Sequence, residues 1–172
     1  MTQVDEFYES SEHLSKLILD TKDYSLYIWN DDYFSRFLVI IAANFFESKI
    51  GQLLGEFARK ASNNQLVESF MRASMRKQYF TYFDWDEGTN ANKFFSYFGT
   101  DFANQAKTDV KNNSSLKESI ESFLMIGRTR NLLVHGDFFQ MSLPKTKVEF
   151  YDSYKKAVEF LEYLKERLLL GE

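Results

Sequence analysis

Residues 115–136 read Ser-Leu-Lys-Glu-Ser-Ile-Glu-Ser-Phe-Leu-Met-Ile-Gly-Arg-Thr-Arg-Asn-Leu-Leu-Val-His-Gly. Leu116, Ile120, Phe123, Leu124 and Gly127 recur at three- and four-residue intervals, the spacing of one buried helix face. Ser115 with Glu118 three residues on has the form of a capping box, which predicts the helix start. Gly136 predicts its stop, because glycine enters the left-handed conformation at no steric cost. Arg128, Arg130, Asn131 and His135 therefore fall in the last two turns of a packed helix. There an imidazole can face both solvent and a ligand.

Spacing constrains this cluster further. Asn131 and His135 are four apart and share a face. Arg130 and His135 are five apart, so on an intact helix they point about 140° from each other. Arg128 lies nearer the histidine's azimuth. Two arrangements would unite Arg130 with His135. The helix could break near Val134, or the two side chains could meet across an axis relating two copies of the helix.

Outward from this stretch the chain keeps the same texture. Residues 3–20, with Phe7, Leu14, Leu17 and Ile18 among charges, predict a short amphipathic helix. Tyr24, Leu26, Tyr27, Ile28 and Trp29 form an apolar run too short for its period to be read, and we take it as an extended lead-in. Asn30-Asp31-Asp32 offers a cap and first-turn carboxylates. From there Phe34, Phe37, Leu38, Ile41, Phe45, Ile50, Leu53, Leu54 and Phe57 predict a long helix to about Lys60, with Glu47 near its apolar side. Ala61-Ser62-Asn63-Asn64 breaks it.

Residues 65–80 predict a helix with Leu66, Val67, Phe70, Met71 and Met75 inward. Its Arg72, Arg76 and Lys77 make either a solvated face or a phosphate-tracking wall. Residues 81–90 form an acidic, aromatic loop, read as anchored in the core rather than stacked on bases. Phe94, Phe95 and Phe98 predict a short helix ending at Gly99. Thr100 caps another, through about Val110. Beyond residues 137–145, Thr146 and Glu149 form a second capping box. The last helix shows Val148, Tyr151, Tyr154, Val158, Leu161, Leu164 and Leu168 along one side.

Composition supports an all-α fold. Among 172 residues there are one proline and seven glycines, too few for the tight turns of a sandwich or barrel. The 18 Phe and 10 Tyr can build a core, which excludes disorder over most of the chain. The absence of cysteine excludes disulfides and thiolate metal sites. His13 and His135 are too far apart in sequence to suggest a metal pair, so neither metal nor cofactor is expected. Net charge is −4, so there is no general basic coat for nucleic acid and any phosphate contact must be local. No apolar run reads as a membrane span and the N-terminus is acidic, which points to the cytoplasm.

Arg130-Asn131-Leu132-Leu133-Val134-His135 has the R-N-x-x-x-H form of the motif found in HEPN domains, and the order of long helices around it is also similar. The resemblance covers roughly residues 30–168 and is closest to prokaryotic HEPN proteins of the RiboL-PSP type. It implies a bundle of long antiparallel helices with short extra helices. The chain then reads as one domain, 1–172, with 1–29 an extension packed on a 30–168 core. The resemblance also implies a metal-independent endoribonuclease that acts as a toxin or phage-defence effector. It further implies a homodimer with both motifs in a shared cleft, and a possible antitoxin partner.

The residue chemistry agrees with that expectation. Histidine exchanges protons near neutral pH. Arginine offers a fixed charge and a planar donor fork for phosphate. RNA carries its own nucleophile, the 2′-hydroxyl. On this reading Arg130 and His135 are catalytic, Asn131 and Glu47 orient them, and Arg128, Arg76 and Lys77 contact RNA. Three other readings stay open. One is a HEPN-like RNA-binding or regulatory module that cleaves nothing. Another is a nucleotide-binding protein. The third is a helix end whose cations merely suit the dipole.

Overall fold

The computed structural model describes residues 1–85, 88–136 and 138–170, except the side chain of Arg76. Among these the chain is all-helical, without strands. In order it forms α1 (Gln3–Asp20), α2 (Tyr24–Ser62), α3 (Gln65–Tyr82), α4 (Asn92–Ser96), α5 (Thr100–Asn112), α6 (Ser114–His135) and α7 (Lys147–Lys165). A π-helical turn, Glu166–Leu170, ends the described chain.

The longest element differs most from the sequence reading. Residues 24–29 are not an extended lead-in but the first turns of α2, capped by Asp23, whose side chain accepts from the Leu26 N–H at 2.9 Å. Asn30, read as a cap, is buried inside the helix, with its Nδ2 3.4 Å from Ser15 Oγ on α1. No helix boundary falls at residue 30. At its other end α2 stops at Asn63, whose φ of 48° is left-handed. By length and composition α2 alone among the described helices could cross a membrane, contrary to the sequence reading that no run reaches that length. Its place is the centre of the bundle, against α1, α3, α6 and α7.

The core is aromatic. Phe123 of α6 meets Phe83 at 4.8 Å, Phe160 at 5.2 Å, Phe46 at 5.4 Å and Trp85 at 5.6 Å between ring centroids. Such pairs contribute roughly 0.5–1.5 kcal/mol each beyond area burial. The inward residues read for α6 are buried: Leu116, Ile120, Phe123, Leu124 and Gly127. In α7, Tyr154, Leu161 and Leu164 are buried, together with Phe150, Ala157 and Phe160, and Leu168 is buried in the π-helical turn, whereas Val148 is exposed. The Thr146–Glu149 capping box is present.

Other local readings are corrected. The α6 cap is Asn113, whose side chain accepts from the Leu116 N–H. Ser115 instead donates to Glu159 of α7 at 2.6 Å, so the Ser115–Glu118 box does not form. Gly99, not Thr100, stands at the α5 cap. In α3 only Met75 of the expected inward set is buried, while Leu66, Val67 and Phe70 are exposed. Periodicity placed an apolar stripe there, but the structure leaves most of it uncovered. In α1, Leu14 and Leu17 are likewise exposed.

Charges tie three helices together at Lys147. The Lys147 ammonium, 1% exposed, bonds Glu12 of α1 and Asp31 of α2 at 2.9 Å each, and Ser15 at 3.0 Å. Burial pushes its pKa down, but these two carboxylates outweigh it and the net shift is upward.

Candidate functional site

The polar cluster sits where α6 runs past α3 and the segment after it. Gly127 fixes that approach. A Cβ there would lie 2.0 Å from the Trp85 ring, so glycine lets the indole pack flat on the helix. Trp85 is buried and its Nε1 donates to the Phe80 carbonyl at 2.9 Å. The loop aromatic is thus an anchor, as the sequence suggested, and is closed to base stacking. Arg128 completes the anchor. Its Nε donates to the Trp85 carbonyl at 2.7 Å and its Nη2 to the Gly88 carbonyl at 3.0 Å.

The helix stays intact through His135, and the Gly136 N–H bonds Leu132 O at 2.9 Å. The first way of joining Arg130 to His135, a break near Val134, is therefore absent. Gly136 is extended, with φ −100° and ψ −165°, not left-handed as expected. Glycine is still required there, because a Cβ would meet the Leu132 carbonyl at 2.6 Å.

His135 is exposed and lines a cleft of about 570 Å³ with Arg128, Asn131, Leu132, Gly136, Gln140 and Met141. Arg130 turns the other way. Its guanidinium lies 4.3 Å above the Phe80 ring, and its Nη1 donates to Asn131 Oδ1 at 3.2 Å. Asn131 is the link, bonded to the arginine and lining the histidine's cleft. Within one chain Arg130 and His135 themselves share no hydrogen bond among the described residues.

Glu47 is half-buried on α2 and makes no hydrogen bond or ion pair among the described residues. It lines a second groove, between α2 and α3, with Asn44, Ser48, Gly51, Gln52, Arg72, Met75 and Tyr79. Burial raises the Tyr79 pKa well above its usual range; the Glu47 charge adds to this and the Arg130 charge opposes it. Arg72 is held by Glu68 at 3.0 Å, Lys77 is exposed, and the Arg76 side chain lies outside the described residues. His13 is exposed on α1.

Three contributors were missed from sequence. Tyr79 and Phe80 fall at the end of the 65–80 helix, and nothing in their spacing marks them. Arg36 carries a partial signal, its i,i+4 relation to Asp32. That relation gives no hint that Arg36 also holds the Phe138 carbonyl and so positions the loop bearing Gln140 and Met141. No group of three or more potential metal ligands occurs among the described residues.

A protein-family model described as RiboL-PSP-HEPN matches residues 5–169. Comparison with curated proteins and with solved structures finds no match.

Proposed function

The chain belongs to the RiboL-PSP-HEPN family, and from that premise we propose that it is a metal-independent endoribonuclease whose site is completed by a second copy of the chain. The observation that carries this reading is the position of Asn131, bonded to Arg130 while lining the open cleft of His135. A phosphodiester there meets the amide and the imidazole of one chain, and the proposed second copy brings its guanidinium to them.

In the proposed reaction His135 takes the proton of the 2′-hydroxyl, and the 2′-oxygen forms a bond to phosphorus. Arg130 stabilises the charged phosphorane. The bond to the 5′-oxygen then breaks, and an imidazolium protonates that oxygen. The products are a 2′,3′-cyclic phosphate and a 5′-hydroxyl. One imidazole of this kind typically contributes about 10²–10⁴-fold. A single histidine cannot easily take one proton and give another in the same step, and the intact helix keeps Arg130 and His135 on different azimuths. A second protomer supplies the missing imidazole. The exposure of Leu132 (54%) and Val134 (48%) within the motif supports a covered interface there. Glu47 and Asn131 then act as positioning groups, and Arg128, Arg76 and Lys77 as phosphate contacts. The setting is a cytoplasmic toxin or phage-defence effector restrained by an antitoxin protein.

A second reading, an RNA-binding or regulatory module without cleavage, is favoured by the net charge of −4 and by Arg128, two of whose donors already serve the chain itself. Labelled RNA incubated in EDTA separates the two. The nuclease reading expects 2′,3′-cyclic phosphate ends, with His135→Ala and Arg130→Ala folded but at least 100-fold slower. RNA that shifts in a gel and stays whole favours the module. A molar mass by light scattering tests the dimer.

A further inference from the structure

The groove between α2 and α3 offers more than the positioning role proposed for Glu47. It encloses about 490 Å³, within the range of small-ligand sites. Tyr79 lines it, only 4% exposed, and its hydroxyl has no hydrogen-bond partner among the described residues. That hydroxyl is open to the groove, so a bound group can take it as a partner. Beside it stands the Glu47 carboxylate, which makes no hydrogen bond or ion pair among the described residues. The floor is open, since a Cβ on Gly51 would find nothing within 4 Å. The groove lies next to the cleavage machinery, because Arg130 covers Phe80, the neighbour of Tyr79.

The Glu47 carboxylate repels phosphate, and the Arg72 guanidinium in the same lining is already paired with Glu68, so this groove is not a continuation of the phosphate path. One carboxylate without companions is also a poor cation site. What it attracts is a pair of N–H donors. Among the four RNA bases only guanine offers two adjacent donors, N1–H and N2–H₂, that match a carboxylate fork. Its O6 accepts, which suits the Tyr79 hydroxyl as donor. Met75 supplies an apolar wall. We infer that the α2–α3 groove is a base-recognition subsite, in which Glu47 and Tyr79 read the Watson–Crick edge of a guanine flanking the phosphate at Arg130. This rests on the proposal that RNA is the substrate.

Fluorescence anisotropy with short single-stranded oligoribonucleotides tests it, using the full chain carrying His135→Ala so that the strand stays intact. One oligonucleotide has a single guanosine; its twin has inosine, which lacks only the N2 amino group. The parent should bind the guanosine strand roughly tenfold more tightly. Adding Glu47→Gln should bring the ratio close to one. Gly51→Leu fills the groove from an open position, so the fold survives, and it should also erase the preference. Equal affinity for the twins, no binding of either, or a ratio indifferent to both substitutions overturns the subsite. The cleavage assay is separate. A wild-type protein that leaves RNA uncut yet prefers guanosine through Glu47 refutes the nuclease and keeps the subsite; one that cuts RNA with no such preference does the reverse.

Discussion

Arg36 and Phe138, separated by 102 residues, are joined by a hydrogen bond from Arg36 Nη1 to the Phe138 carbonyl. The same guanidinium, 4% exposed, grips Asp32 through Nε at 2.9 Å and Nη2 at 3.0 Å, and its Cζ stands 5.8 Å from the centre of the Phe138 ring. Two residues beyond Phe138 the loop supplies Gln140 and Met141 to the His135 cleft. An arginine in α2 thereby fixes one wall of a cleft built on α6.

Arg36→Ala should destabilise the protein by about 2–4 kcal/mol in urea titration, because it strips charge-assisted bonds from a buried guanidinium site and leaves the part-buried Phe138 carbonyl without its donor. Arg36→Lys should recover only part, since an ammonium cannot grip Asp32 with two parallel bonds. If RNA is cleaved, Arg36→Lys should raise KM more than it lowers kcat. A stability change below about 0.5 kcal/mol, the usual level for an incidental surface residue, would remove the tether from the account.

Gly127→Ala sets a methyl 2.0 Å from the Trp85 ring, against an indole that is itself buried. Overpacking of this kind costs about 1–3 kcal/mol or more. Tryptophan emission can follow it. Trp29 is 56% exposed, so the blue edge of the spectrum reports Trp85. The expected outcome is a red shift with a lower melting temperature. An unchanged spectrum at wild-type stability would mean that the loop has room to retreat.

Asp5 links α1 to α7. Burial raises its pKa, but the Thr2 N–H, the hydroxyls of Tyr151 and Thr2 and the Lys155 charge together outweigh burial and hold it at about 2. The folded value lies below the ordinary 3.8. The stabilisation is therefore complete above about pH 4 and is lost as pH falls towards 2. Asp5→Asn should lower the urea midpoint at pH 7, and its deficit against wild type should shrink as both are taken to pH 2. A deficit of the same size at both ends would assign the effect to packing rather than charge. Tyr151, with its pKa pushed up to about 12 by burial and by its bond to Asp5, remains a donor across this range.

Much of this molecule is legible in its residues. The α6 stripe, the aromatic core and the Thr146 cap follow from period and side-chain chemistry that act within a few residues. So does the motif at the helix end, since residues 130–135 fix their own azimuths once the helix is granted. The errors are of another kind. Asn30-Asp31-Asp32 has the chemistry of a helix start, yet Asn30 meets Ser15 and Asp31 meets Lys147, partners contributed by α1 and α7 that turn a local cap into an interhelix clasp. Ser115 leaves its own box for Glu159 in the same way.

What the sequence determined by itself is which side chains share a helix face, because the rotation per residue is set by backbone hydrogen bonding alone. What the tertiary structure decided is which faces meet. Arg130 lies over Phe80 and away from His135, Glu47 opens on a groove with Tyr79, and Arg128 is spent on the loop after α3. Those choices depend on how whole helices settle against one another to fill a core at crystal-like density. That is a sum over distant contacts, and no short window of sequence contains it.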